Sequence, residues 1–235
     1  MIVRFSDQVA LVAGGTGALG RAVSLAFLEE GATVVVTYRR QEEFDGLRKA
    51  AGADASRIQG HSVDVTNEAA VHDLVARVVA KHGRLDAMTN AVGGYAAGRT
   101  LWETDASVFQ QMLSLNLLSG HALCRAVVPA MLKQGRGAII NVASRAAIDH
   151  AAGAAAYDAS KAAAVAMIDS LAADLKDTRV RANSILPSII DTEANRRAMP
   201  NADYSKWPKP QDIAYVILFL CSDDAKLIHG AAIPV

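Results

Sequence analysis

The sequence predicts a doubly wound α/β protein, a seven-stranded parallel sheet flanked by helices on both faces. Two observations predict it. Short apolar runs alternate with longer segments of helical period along the whole chain, and a glycine-rich turn joins the first apolar run to the first helix. Such an alternation implies parallel strands linked by right-handed crossovers.

The elements follow in order. Residues 8–12 form a short apolar run, the first strand. The turn Gly14-Gly15-Thr16-Gly17-Ala18-Leu19-Gly20 follows, and beyond it Ala22, Val23, Leu25, Ala26 and Phe27 fall at helical spacing. Residues 33–37 are the second strand and 42–51 a helix. Residues 57–63 are a strand, 68–81 a helix and 85–90 a strand. Residues 107–131 form one long helix or two, 137–143 a central strand, and 154–175 a long alanine-rich helix, alanine being a strong helix former that permits close packing. The series ends with a strand at 180–186, a helix at 212–221 and a short strand at 231–235. No linker or internal repeat divides the chain, so residues 1–235 are expected to form a single domain.

A glycine-rich turn between strand and helix has the context of a phosphate site. Glycine lets the backbone approach a ligand, and the helix offers free N–H groups with the positive end of its dipole. Gly15-x-Gly17-x-x-Gly20 fits the dinucleotide spacing; Gly14-x-x-x-Ala18-x-Gly20 nearly fits a second spacing, with Ala18 in the middle place. An NAD site usually carries an acid at the end of the second strand for the ribose 2′-hydroxyl. Here the strand runs into Tyr38-Arg39-Arg40. Guanidinium groups match phosphate oxygens, and a carboxylate at position 38 would repel them. NADP(H) is therefore expected in preference to NAD(H), with Arg39 as first contact and Arg40 as second.

The chemistry is read further on. The strand 137–143 ends at Ser144, and such strands deliver site residues at their carboxyl ends. Tyr157 and Lys161 are four apart on the following helix and share a face. A lysine ammonium beside a phenol lowers its pKa, which suits Tyr157 to give or take a proton. Ser144 can bond the substrate oxygen.

In these motifs the chain resembles the short-chain dehydrogenases/reductases over nearly its full length, which implies a Rossmann fold. Asp64 and Val65, in Val63-Asp64-Val65-Thr66, resemble the segment whose acid touches adenine. Asn90-Ala91-Val92-Gly93-Gly94 resembles the family's Asn-Ala-Gly stretch, and Asn116 matches the helix asparagine of a water relay through the catalytic lysine. Pro187, Ser188, Ile189, Ile190, Asp191 and Thr192 resemble the segment that clasps the nicotinamide carboxamide. The resemblance implies that Tyr157 is the general acid/base, Ser144 polarises the substrate oxygen, Lys161 binds the nicotinamide ribose and Asn116 completes the relay. It also implies cofactor contacts at Gly14, Thr16, Gly17, Leu19, Gly20, Tyr38, Arg39, Arg40, Asp64, Val65, Asn90, Ala91, Val92, Tyr157, Lys161, Pro187, Ile189 and Thr192. A homodimer or homotetramer paired through the helices of 107–131 and 154–175 is a further implication. Ala18 and Ser188 depart from family glycines. The turn, Gly93–Gly98 and the stretch 191–200 resemble dihydropteridine reductases, but that subgroup has an acid after strand two and lacks the catalytic serine.

These residues lead to an NADP(H)-dependent reductase of a ketone or aldehyde, a 3-oxoacyl thioester among the candidates. A quinonoid pteridine reductase and a non-catalytic NADP(H) sensor are the alternatives. Residues 93–101 and 193–210 are expected to line the substrate pocket, the second as a mobile lid. Tyr95, Met199, Tyr204 and Trp207 read either as an apolar wall or as hinge packing; His150 reads as a surface residue or a substrate contact. Formal net charge is zero, which excludes a basic nucleic-acid footprint or polybasic membrane surface. Two cysteines, Cys124 and Cys221, give no disulfide framework and read as reduced core thiols; no metal cluster is expected. Residues 1–7 lack a signal peptide's apolar core, and no stretch approaches eighteen apolar residues without a charge, so a soluble cytoplasmic protein is the expectation.

Overall fold

The computed structural model of the chain describes residues 4–235. Met1–Val3, at the head of the segment read as lacking a signal-peptide core, lie outside the described residues. The strands are β1 (Val9–Ala13), β2 (Thr33–Tyr38), β3 (Ile58–Ser62), β4 (Ala87–Asn90), β5 (Gly137–Val142), β6 (Val180–Leu186) and β7 (Ala232–Pro234). They form one sheet in the order β3-β2-β1-β4-β5-β6-β7, and every pairing is parallel. The helices are α1 (Ala18–Glu29), α2 (Gln41–Ala51), α3 (Glu68–His82), α4 (Ala106–Leu113), α5 (Ser119–Gln134), α6 (Ala155–Asp174), α7 (Glu193–Ala198) and α8 (Pro210–Cys221).

The side-chain alternation of a strand divides the core in two. Ala10 and Val12 of β1 face one cluster with Val23 and Phe27 of α1, Leu47 of α2 and Ile217 of α8. Val9, Leu11 and Ala13 face the other, with Leu74 of α3, Leu123 and Val127 of α5 and Ile168 of α6. Both faces are covered, so central strands have no polar side; each fully buried Val or Leu contributes roughly 1.5–3 kcal/mol. Strand order reverses between β1 and β4, leaving a crevice at their carboxyl ends where ligands of open α/β sheets bind.

Three readings are refined. Residues 106–134 form one continuous helical run, α4 and α5 joined by a π turn at Ser114–Leu118. This run of 29 residues, contrary to expectation, is long and apolar enough by composition to cross a membrane. Its uncharged Ser, Asn, Gln and His residues escape a count of charges, and its buried face packs on the sheet and on α3 and α6. The proposed lid at 193–210 is not structureless: it holds α7 and a 3₁₀ turn at Tyr204–Lys206. Cys124 and Cys221 are buried free thiols whose pKa burial pushes up to about 12.

Candidate active site

The nucleotide side of the crevice is shaped by backbone. Gly14 takes a left-handed φ of 69° and its N–H is held by Thr37 Oγ1 at 2.9 Å. A Cβ on Gly15 would stand 2.6 Å from Val36, and one on Gly20 would collide with the Gly14 carbonyl, so these two glycines let α1 close onto the sheet. Gly17 differs: its nearest obstacle is 3.5 Å away, and it lines the open groove. Gly17 caps α1 without a side-chain bond, and no acid stands in the first turn, so the helix keeps donors and positive potential for an anion. Ala18 starts the helix without disturbing the turn.

The groove is lined by Gly14, Thr16, Gly17, Tyr38, Arg39, Asp64, Val65, Ala91 and Val92, all expected cofactor contacts. Thr37, Glu43, Val63, Thr66, Gly93 and Leu115 line it as well and were not among the expected cofactor contacts. Thr66 donates its N–H and hydroxyl to Asp64 Oδ1 at 2.9 and 2.7 Å, which lowers the Asp64 pKa and fixes its carboxylate. Tyr38 stacks flat on Phe44 with centroids 4.9 Å apart. This groove fits a dinucleotide: a glycine cradle, an uncapped helix end, an aromatic wall and an acid fixed to meet a polar base or sugar.

Other expected contacts stand elsewhere. Arg40 does not line the groove but pairs with Glu43, which does. Asn90 is buried; its side chain donates to Asn141 Oδ1 at 3.0 Å and accepts from Val92 N–H at 3.2 Å. It therefore fixes the β4 end rather than facing a ligand with its side chain. Leu19 packs its side chain in the core, so at Leu19 and Gly20 only backbone is free for a ligand. The Pro187 carbonyl accepts from Arg145 N–H at 3.0 Å, tying that segment to the turn after Ser144. Ile189 is exposed, and Thr192 Oγ1 caps α7 by accepting from Asn195 N–H.

The catalytic candidates converge from three elements. Ser144 follows β5 and its Oγ accepts from Ala146 N–H at 3.1 Å, leaving its hydroxyl proton to donate. Tyr157 and Lys161 come from α6, the Lys161 Nζ lying 5.9 Å from the Tyr157 ring centroid. Lys161 is buried and donates to the Val142 carbonyl at 3.1 Å. Asn116 sits in the π turn, a helix irregularity frequent at functional sites. Its Oδ1 accepts from Gly94 N–H at 2.8 Å and its Nδ2 donates to Ser160 Oγ at 2.9 Å. Ser160, unremarked in the sequence, donates its hydroxyl to the Tyr157 carbonyl at 2.7 Å and so ties the π turn to α6. Gly93 joins the two sides: a Cβ there would stand 2.9 Å from Asn116 Oδ1 and 3.2 Å from Lys161 Nζ.

One electrostatic expectation is corrected. The Tyr157 pKa is raised, not lowered: burial dominates, and the Ser144 hydroxyl pulls it only partly back. The same burial drives Lys161 down to about 8. In a dry cleft both charged forms are disfavoured, yet with a pKa of about 8 Lys161 is still mainly an ammonium at neutral pH.

The substrate side is more open. Tyr95 is 71% exposed and meets Tyr157 edge to face, centroids 4.9 Å apart. Tyr204 and Trp207 pack on each other, Arg196 lies over the Tyr204 ring, and the Tyr204 hydroxyl reaches the Met199 carbonyl. Tyr204 and Trp207 thus take the internal packing of the two readings left open, while Tyr95 stands against the Tyr157 ring. His150 is exposed, its Nδ1 3.1 Å from the Ala146 carbonyl. Among the described residues no His, Cys, Asp or Glu cluster could hold a metal ion.

The chain is similar to known proteins. The family model described as short chain dehydrogenase matches residues 8–203. The 3-oxoacyl-[acyl-carrier-protein] reductase of Thermotoga maritima is 30% identical over 98% of this chain and 97% of its own length. The 2,5-dichloro-2,5-cyclohexadiene-1,4-diol dehydrogenase of Sphingobium indicum is 33% identical over 100% of this chain and 97% of its own. The structure of ElxO with NADP bound superposes with a TM-score of 0.92 at 26% identity, covering 97% of this chain and 96% of that one.

Proposed function

The chain belongs to the short-chain dehydrogenase/reductase family, and on that premise we propose that it is an NADP(H)-dependent reductase of a ketone or aldehyde, with Tyr157 as general acid/base. The observation that carries this reading is the convergence of Ser144, Tyr157 and Lys161 beside a groove that reaches them through Gly93. Arg39 in the groove and the NADP held by a structural neighbour support the choice of cofactor.

When bound, the nicotinamide supplies or takes the hydride. Gly14, Gly17 and the α1 end would hold the pyrophosphate, and Arg39 would meet the 2′-phosphate. Ser144 donates a hydrogen bond to the substrate oxygen and aims it. In the reductive direction the Tyr157 O–H bond breaks and its proton goes to that oxygen as negative charge grows there, completing the alcohol. Tyr157, whose pKa burial raises further, is a protonated phenol at neutral pH, the form that donates in reduction. Lys161 stands beside the phenolate left behind, and Asn116 with Ser160 fixes the helix turn that carries both. The retained Ser144 and the Tyr38-Arg39 pair distinguish the site from the pteridine-reductase pattern.

The substrate is a small carbonyl compound or its alcohol. One relative is named for a 3-oxoacyl thioester and another for a cyclic diol, which supports that class. The protein acts as a homo-oligomer paired through α4–α5 and α6, in line with the family resemblance and with the exposed Leu118 of that run. Calorimetric titration with NADPH and NADH, followed by a panel of acetoacetyl thioesters, diketones and quinonoid dihydropterin, tests the reading. Tighter NADPH and turnover of a carbonyl compound are expected. Arg39→Asp reverses the preference; an unchanged preference overturns the role of Arg39.

A further inference from the structure

The nucleotide groove holds an acid that the arginine reading leaves unused. Glu43, in the first turn of α2, lines the groove with Thr16, Tyr38 and Arg39. Its two oxygens are divided. Oε2 accepts from Thr16 Oγ1 at 3.0 Å, and Oε1 accepts from Arg40 Nε at 2.9 Å, with the Arg40 terminal nitrogen also against it. The carboxylate thereby bridges the glycine-rich turn to the start of α2. The Arg40 hydrogen bond first, then Thr16 and the nearby Arg39 charge, hold its pKa below the ordinary carboxylate range, so it is an anion at neutral pH. Its side chain keeps 33% of its surface exposed and so remains open to a ligand.

Two consequences follow from this placement. A nucleotide that brings a 2′-phosphate toward Arg39 brings it toward a fixed negative charge, and Arg40, already paired, offers no second clamp. A nucleotide with a free ribose 2′-hydroxyl finds an acceptor of the kind NAD sites usually place at the end of the second strand, where Tyr38 stands here. Charge-assisted acceptors are the stronger ones for such hydroxyls.

We infer that Glu43 is a specificity-determining residue of the cofactor site: it accepts from the ribose hydroxyls of NAD(H) and opposes the 2′-phosphate that Arg39 attracts, so that the groove admits both cofactors. This rests on the reading of the groove as a dinucleotide site. Glu43 acts on binding and touches none of the reacting atoms.

Calorimetric titration of wild type and Glu43→Gln with NADPH and with NADH tests it, with melting curves to verify that both are folded. The isosteric amide keeps the Thr16 contact, removes the charge and frees Arg40. The NADPH Kd is expected to fall about tenfold and the NADH Kd to rise about threefold, the direction set by charge. The NADPH gain shrinks at high salt, because the interaction is screened, and is partly lost in the Glu43→Gln/Arg40→Gln double variant. A purely structural bridge would move both Kd values the same way or neither, and either result overturns the inference. If wild type prefers NADPH and Arg39→Asp reverses that preference while Glu43→Gln is silent, the inference alone fails. If wild type binds neither nucleotide, the dinucleotide reading and the inference fail together.

Discussion

The glycine-rich turn proposed to cradle phosphate is built from one stretch of chain, Gly14 to Gly20, whereas the cleft proposed for proton transfer draws Asn116, Ser144, Tyr157 and Lys161 from three elements. In the cradle the working groups are backbone N–H donors, and the side chains that matter are the absent ones. In the cleft the working groups are side chains whose protonation depends on burial. The comparison teaches that one fold can hold a ligand by local geometry and activate another by tertiary desolvation. Damage to the first should appear in binding and folding, and damage to the second in rate and pH dependence.

Tyr157→Phe gives the sharpest separation. It removes the proton donor and keeps the ring that meets Tyr95, so kcat should fall by about 10²–10⁴-fold while NADPH affinity stays level. Steady-state kinetics beside titration checks this, and a parallel loss of affinity would mean that the two regions are not independent.

Gly20→Ala and Gly17→Ala break the cradle in different ways. Alanine in a helix gains about 1 kcal/mol over glycine. At position 20 the collision with the Gly14 carbonyl outweighs that gain, with overpacking costing roughly 1–3 kcal/mol or more. Gly20→Ala should lower both Tm and NADPH affinity. Gly17→Ala has room and a φ of −68°, so Tm should hold while its methyl, set into the groove, weakens NADPH binding. Equal melting losses in the two variants would defeat this account of the turn.

Lys161→Met probes desolvation in the cleft. The folded-state pKa is lowered from 10.5 to about 8, so between those values the unfolded chain binds more protons than the native one. Wild-type stability relative to the variant should therefore rise as pH goes from 8 to 10.5, by up to about 3 kcal/mol. Below pH 8 the difference is flat, with the strain of burying the ammonium fully present. Denaturant melts of both proteins across that window measure it. A flat difference throughout would mean that Lys161 keeps its ordinary pKa.

The smallest effect belongs to Tyr95→Ala at the open edge of the cleft. The exposed ring adds little to folding, so Tm should not move. If the ring lines the substrate pocket, losing an aromatic contact to the substrate of about 0.5–1.5 kcal/mol should raise KM for a cyclic ketone by about tenfold or less. A short acyl thioester should be less affected, and equal changes would remove Tyr95 from substrate selection.

Much of this molecule was legible before any coordinates. The strand 180–186 falls where the sequence puts it, and the other strands differ by a residue or two, because apolar runs bounded by turns report local conformation. The trio Ser144, Tyr157 and Lys161 was readable because a strand end and a helical spacing of four fix where such side chains go. Glu43 was hidden because its partner Thr16 lies 27 positions away, and Ser160 because its partner Asn116 lies 44 away. The direction of the Asn90 side chain, turned to Asn141 and the Val92 N–H, was hidden because a motif names a residue but not where its side chain points. The sequence alone determined the order of elements, the glycine-rich turn and the candidate proton donor, since these depend on period, spacing and residue type. Only the tertiary structure decided that Tyr157 is raised and Lys161 lowered, that Arg40 is spoken for, and that Tyr95 rather than Trp207 meets the phenol. Those outcomes depend on which distant residues exclude water from a group or reach it with a charge, and spacing along a chain carries no record of either.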